Sequence, residues 1–185
     1  MKKSIQKHID KEHYVKLELT NSKDKALCSF GGYIIAQNKH FILFCDFMDF
    51  HYDGMVIIKK KDVAEIRYSD FEKQLDKMKA GEGIKQNALK RVRKLNVKLG
   101  TYPEILEQIK AKDLAIIIED LYGNKDYFQI GPIEKIGKKA VKLHYMNAKG
   151  YYEFKPVKAY YTDITFTRFD GPYATLFYKY SQSRE

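Results

Sequence analysis

The chain has 185 residues, room for one medium domain or two small ones, and its 44% hydrophobic and 14% aromatic content excludes wholesale disorder. A formal net charge of +10 points to an anionic partner, nucleic acid before membrane. The opening MKKSIQKHID has charges with no apolar run behind them, and the longest aliphatic stretch, Leu114 to Ile118, is too short for a bilayer. With only Cys28 and Cys45 and no sign of disulfide staples, a soluble cytoplasmic protein is expected.

Taken in chain order, a weak helical pattern over Ser4–Lys11 precedes five strand patterns. These are Tyr14–Thr20, Ala26–Gln37, His40–Phe47, Met55–Lys60 and Val63–Tyr68. Ser69-Asp70-Phe71-Glu72 reads as a capping box, so a helix should start near Asp70 and stop at Gly81 and Gly83. Phe71, Leu75 and Met78 then share one face at i, i+4, i+7 and are expected to be buried. A second helix is expected over Ile84–Leu95, where Ile84, Ala88, Leu89, Val92 and Leu95 share one arc. Lys90, Arg91, Arg93 and Lys94 fall on the other side, and Lys85 interrupts the apolar arc.

Thr101-Tyr102-Pro103-Glu104 is another capping box, opening a helix over Pro103–Lys112. Five further strand patterns follow, near Leu114–Asp120, Tyr127–Ile136, Ala140–Met146, Tyr152–Lys158 and Asp163–Phe169. Asn21 to Asp24 and Tyr122 to Asp126 carry hairpin-turn composition.

The two halves echo one another. Gly32 and Gly131 stand 99 residues apart in similar settings, "FGGYIIAQNKHFILF" and "QIGPIEKIGKKAVKL". At that offset Val15, Leu17 and Leu19 fall on Leu114, Ile116 and Ile118. The offset then drifts to 101, placing Asp62-Val63 on Asp163-Ile164, as a small insertion near Lys149-Gly150 would cause. A further 102 residues carry Phe71, Leu75 and Met78 onto Tyr173, Phe177 and Tyr180, again bulky and again expected to be buried. Matches in this order indicate a duplicated unit. The expected fold is mainly β with short helices: two tandem five-stranded small barrels joined by a helical connector. The expected domains are 1–80, a first barrel with a trailing helix; 81–100, a basic connector; and 101–185, a second barrel with a trailing helix.

Helix plus five strands resembles the Sm-like family, the Sm and LSm proteins and their Hfq-type bacterial relatives. "GYIIAQNKHFILF" (Gly32 to Phe44) looks like the family's first motif and "IKKKDV" (Ile58 to Val63) has the spacing of its second. The whole, "YDG" included, is similar to tandem Sm-like proteins of bacteria that have no assigned activity. The resemblance implies RNA binding. It departs where the family holds a uracil edge with asparagine, since Ile42 and Val141 stand there and offer no hydrogen bond. The second motif's arginine and glycine are replaced by Lys59 and Lys60, then by Tyr160 and Tyr161, and Asp62 and Asp163 replace its asparagine. A family-type uridine pocket is therefore not expected.

Chemical candidates are weak. His8, His13, His40, His51 and His144, alone or strung with Cys28 and Cys45, match no zinc spacing. Asp46, Asp49 and Asp53 are too sparse for a calcium loop. The "GEG" of Gly81–Gly83 lacks the lysine and hydroxyl of a phosphate loop, and no nucleophile elbow is present. Tyr151, Tyr152, Tyr160 and Tyr161 should each pair one inward ring with one outward ring, the outward ones able to stack on bases.

Between Lys73 and Lys98 lie Lys73, Lys77, Lys79, Lys85, Lys90, Arg91, Arg93, Lys94 and Lys98, opposed only by Asp76 and Glu82. The expectation is a non-enzymatic binding protein without cofactor or metal. Lys85, Lys90, Arg91, Arg93 and Lys94, with Lys59 and Lys60, would meet RNA or single-stranded DNA. The alternative is a protein-interaction scaffold that uses strand edges, possible as an oligomer and with no membrane role.

Overall fold

The computed structural model describes residues 2–20, 26–122 and 127–182. The turn expected at Asn21–Asp24, and the one beyond Tyr122, lie outside the described residues. Contacts divide the chain into two compact units, Met1–Leu99 and Gly100–Glu185. Among the described residues no helix is long and apolar enough to cross a membrane.

The first unit runs α1 (Lys2–Asp10), β1 (Tyr14–Thr20), β2 (Ala26–Gln37), β3 (Phe41–Met48) and β4 (His51–Lys59). A 3₁₀ turn at Lys60–Asp62 leads to β5 (Val63–Arg67), α2 (Asp70–Gly81) and α3 (Ile84–Leu95). Its strands are antiparallel in the order β5-β1-β2-β3-β4. In β1 Val15, Leu17 and Leu19 are buried while Lys16 and Glu18 are half-exposed, the period-2 pattern of a strand covered on one face. The turn into β3 is shaped by Asn38, whose side-chain oxygen accepts the amides of His40 (2.8 Å) and Phe41 (2.7 Å). α1 packs on β2, α2 on β1, and α3 on α2, β3 and β4.

The second unit runs α4 (Tyr102–Lys110), β6 (Ile116–Asp120), β7 (Tyr127–Gly131), β8 (Ile133–Ile136), β9 (Ala140–Leu143), β10 (Val157–Tyr160), β11 (Phe166–Phe169) and α5 (Pro172–Gln182). Pro132, which has no N–H to give a ladder, splits the expected long strand into β7 and β8. β7 continues the ladder β11-β6-β7, and β8 belongs to a three-stranded sheet ordered β10-β9-β8.

Pairing registers agree between the units. Ile34 pairs with Phe44 and Ala36 with Leu43 across a register shift, as Ile133 pairs with Leu143 and Lys135 with Lys142. Phe44 pairs with Val56 and Ile42 with Ile58, as Leu143 pairs with Val157 and Val141 with Ala159. The first strands are offset by 101 rather than 99: Val15 pairs with Gly32, and Ile116, not Leu114, pairs with Gly131.

The expected pair of closed barrels is not what forms. None of the sheets closes: β4 and β5 lie at opposite ends of the first unit's strand order, and the second unit divides its strands between two ladders. Alternation specifies that one face must be covered, and it is silent on what covers it. Here helices do so, through Ile5 of α1, Ala88, Leu89 and Val92 of α3, and Ile105 and Ile109 of α4, all buried. A face already covered gives its edge strands no apolar reason to meet.

The trailing stripes also differ from expectation. Phe71 is 63% exposed, Met78 44%, Tyr173 50% and Tyr180 65%, with Leu75 and Phe177 half-buried. The buried side chains of α2 are instead Glu72 and Lys79. Glu72 closes the capping box, accepting from the Ser69 amide (2.8 Å) and hydroxyl (2.6 Å) and from Arg67 Nη2 (2.7 Å). That anchor turns the Glu72 face inward, and Lys79, two turns on, follows it. Its ammonium lies 4.2 Å from the Phe50 ring centroid, 4.9 Å from Tyr14 and 5.1 Å from Phe47, and it donates to the Asp49 carbonyl. In α5 the buried positions are Ala174 and Ser181.

Gln129 of β7 is buried, and neither its Nε2 nor its Oε1 has a hydrogen-bond partner. A buried amide without partners costs about 1–3 kcal/mol relative to an apolar group of similar shape. Gln129→Met is therefore expected to raise unfolding stability by up to that amount, measured by chemical denaturation of the full chain. A destabilised variant would show that the amide is satisfied in solution.

Candidate nucleic-acid interface

α3 is bounded by two residues in the left-handed region, Gly83 (φ 71°) and Asn96 (φ 48°), and the Asn96 amide closes the last turn on Val92 O at 3.1 Å. Ala88, Leu89 and Val92 are buried, while Lys90, Arg91, Arg93 and Lys94 are exposed. One helix thus grips its own unit with one face and shows four cations on the other.

The seven cations singled out in the sequence have three different settings. Lys85 turns inward: its ammonium donates to the Glu12 carbonyl (2.7 Å) and Asp76 Oδ1 (3.0 Å) and lies 5.2 Å from the Tyr33 ring centroid. Asp76 also accepts from Tyr33 Oη at 3.0 Å, and burial, reinforced by that carboxylate, pushes the Tyr33 hydroxyl far above its ordinary range. Lys60 is buried in the turn after β4, donating to Gln37 Oε1 and, at 3.2 Å, to the Asn38 carbonyl. Lys59 is half-buried at the end of β4. Lys85 and Lys60 therefore serve the fold, as does Lys79 from the same basic run.

The remaining four are outward. Arg93 Nη2 reaches Glu12 Oε1 at 2.8 Å, but both side chains are well exposed, so the pair is weak and exchangeable. The Arg91 guanidinium carbon lies 5.0 Å from the Tyr52 ring centroid, a cation–π contact. Lys90 and Lys94 form no ion pair among the described residues.

The histidines and cysteines do not gather. His8 Nδ1 and His13 Nδ1 lie 3.1 Å apart, and His13 stacks on Tyr68 with centroids 4.1 Å apart. Burial, then the neighbouring ring, lowers the His8 pKa, and burial lowers that of His13. Among the described residues no group of three or more His, Cys, Asp or Glu could hold a metal ion. Of the tyrosines, Tyr151 and Tyr160 are outward, Tyr152 stacks on His144 (4.3 Å) and Tyr161 leans on Tyr102 (5.1 Å).

A second cationic surface escaped the sequence reading. Lys135, Lys138, Lys139, Lys142 and Lys158 line one groove of about 410 Å³ on the three-stranded sheet. Its signal was present, with lysine at the exposed steps of the alternating "AVKL" and "VKAY", but β9 and β10 had to be paired before those steps met. Comparison with family models, curated proteins and solved structures finds no match to this chain.

Proposed function

We propose that the protein is a non-enzymatic, cytoplasmic nucleic-acid-binding adaptor that holds RNA or single-stranded DNA by its phosphate backbone. Lys90, Arg91, Arg93 and Lys94 of α3 carry the contact. The supporting observation is the division of α3 between a buried apolar arc and an exposed cationic one. Phosphates are the matching partner because released counterions drive association without base reading. Two arginines add forked donors suited to phosphate oxygens. Cys28 and Cys45 form no disulfide, which fits a reducing compartment.

The test is binding of a labelled single-stranded oligonucleotide across a salt series. Replacing Lys90, Arg91, Arg93 and Lys94 together with glutamine is expected to weaken binding at least tenfold at about 50 mM salt and to flatten the log–log salt slope by up to about 3, near 0.7 per lost phosphate contact. Wild-type protein that binds no oligonucleotide at that salt would remove the proposal. The chain would then read as a protein-interaction scaffold, with strand edges such as that of β10 open to pairing.

A further inference from the structure

In the three-stranded sheet Lys142 of β9 pairs directly with Lys135 of β8 on one side and Lys158 of β10 on the other. Residues directly opposite in an antiparallel ladder point to the same face, and strands lie about 4.8 Å apart, so three ammonium-bearing stems form a row about 10 Å across. All three are exposed, and none has an ion pair among the described residues. Like charges set opposite one another destabilise a sheet, so this row works against folding unless an anion lies on it.

The next row of the same face is built differently. Tyr160 pairs with Ala140, and Gly137 follows in the adjoining hairpin, so the floor is small and an aromatic ring stands at one side. Tyr160 is 47% exposed. Lys158 Nζ sits 4.4 Å from its ring centroid and donates to its Oη at 2.9 Å, tying the ring to the cation row. Lys138 and Lys139 close the hairpin end. Five cations, a small floor and one half-exposed ring share a groove of about 410 Å³, within the size range of small-ligand sites.

We propose that this groove is a nucleotide-binding subsite, in which Lys135, Lys142 and Lys158 hold phosphate oxygens and a base stacks on the Tyr160 ring. It deepens the reading above, naming single-stranded rather than duplex nucleic acid, because only an unpaired base has a face free for the tyrosine. Its residues are all in the second unit and none is in α3, so the two sites can be disabled separately.

The experiment measures binding of the full-length protein to an eight-nucleotide single strand, to the same sequence as a duplex, to a free nucleoside triphosphate and to inorganic phosphate. Three proteins are compared: wild type, Lys135→Gln/Lys142→Gln/Lys158→Gln, and Tyr160→Ala. The single strand is expected to bind more tightly than the duplex. The triple variant should weaken it at least tenfold and lower the salt slope by about 2, while its melting temperature holds or rises as charge repulsion is relieved. Tyr160→Ala should weaken it about 5- to 100-fold with the slope unchanged, the signature of lost stacking rather than lost charge. Tight binding of the free triphosphate, sensitive to the same changes, would assign the groove to free nucleotides; weak binding assigns it to a strand. Single-strand binding unaffected by either variant overturns the subsite and leaves the α3 proposal intact. Binding lost here but retained in the α3 glutamine variant overturns α3 and leaves the subsite.

Discussion

Gly131→Ala is expected to destabilise the second unit by about 3 kcal/mol or more and to lower its melting temperature by roughly 10–25 °C. A Cβ at Gly131 would stand 2.1 Å from the His144 carbonyl oxygen, and the carbonyl carbon and the Tyr145 Cα crowd the same space. These are backbone atoms of the segment just past β9, so no rotamer change relieves the contact. Either the ladder opens or the chain moves by about an ångström. Gly32 meets the same obstacle 99 residues earlier, with the Cys45 carbonyl oxygen 1.9 Å from its would-be Cβ, so Gly32→Ala should injure the first unit comparably. Circular dichroism melts of the two variants check this. A Gly131→Ala protein that melts with wild type would show that the two backbone segments do not approach this closely.

Glu72 should dominate acid sensitivity in the first unit. Burial alone would raise its carboxyl, but hydrogen bonds from Arg67 and from the Ser69 hydroxyl and amide outweigh it and bring the pKa down to about 2 from 4.5. A carboxylate held lower in the folded than in the unfolded chain contributes stability that is fully present above pH 4.5 and is lost as pH falls towards 2. At about 1.4 kcal/mol per unit that contribution reaches roughly 3 kcal/mol. Glu72→Gln should therefore lose about 2–3 kcal/mol at pH 7 and show a flatter stability profile between pH 4.5 and 2. Urea denaturation at stepped pH measures both. Parallel profiles for the two proteins would show that another carboxylate governs the acid transition.

How much of this was legible in the chain differs from element to element. β1 and β2 have the boundaries their alternation specifies, Tyr14–Thr20 and Ala26–Gln37. The two capping boxes form at Ser69 and Thr101, because a cap is a matter of four consecutive residues. The bounds of α3, Ile84–Leu95, follow from a glycine before and an apolar arc within. Such features need only neighbours along the chain, and sequence is a direct record of those.

What covers each face is a different kind of question. Phe71 and Met78 look like a core stripe, yet Glu72 and Lys79 are buried in their place, because Arg67, Asp49 and the rings of Tyr14, Phe47 and Phe50 come from other elements. Lys85 falls within the apolar arc in the sequence and Lys90 outside it, yet only the arrival of Glu12 and Asp76 shows that the first is structural while the second stays outward. The same holds for Lys135, Lys142 and Lys158, whose separations along the chain conceal a single row. The two capping boxes, the bounds of α3 and the net charge were determined by the sequence itself. The open sheets, the inward polar face of α2 and the lysine groove were decided by tertiary structure, since each depends on pairings and contacts between residues far apart in the chain, for which local periodicity has no term.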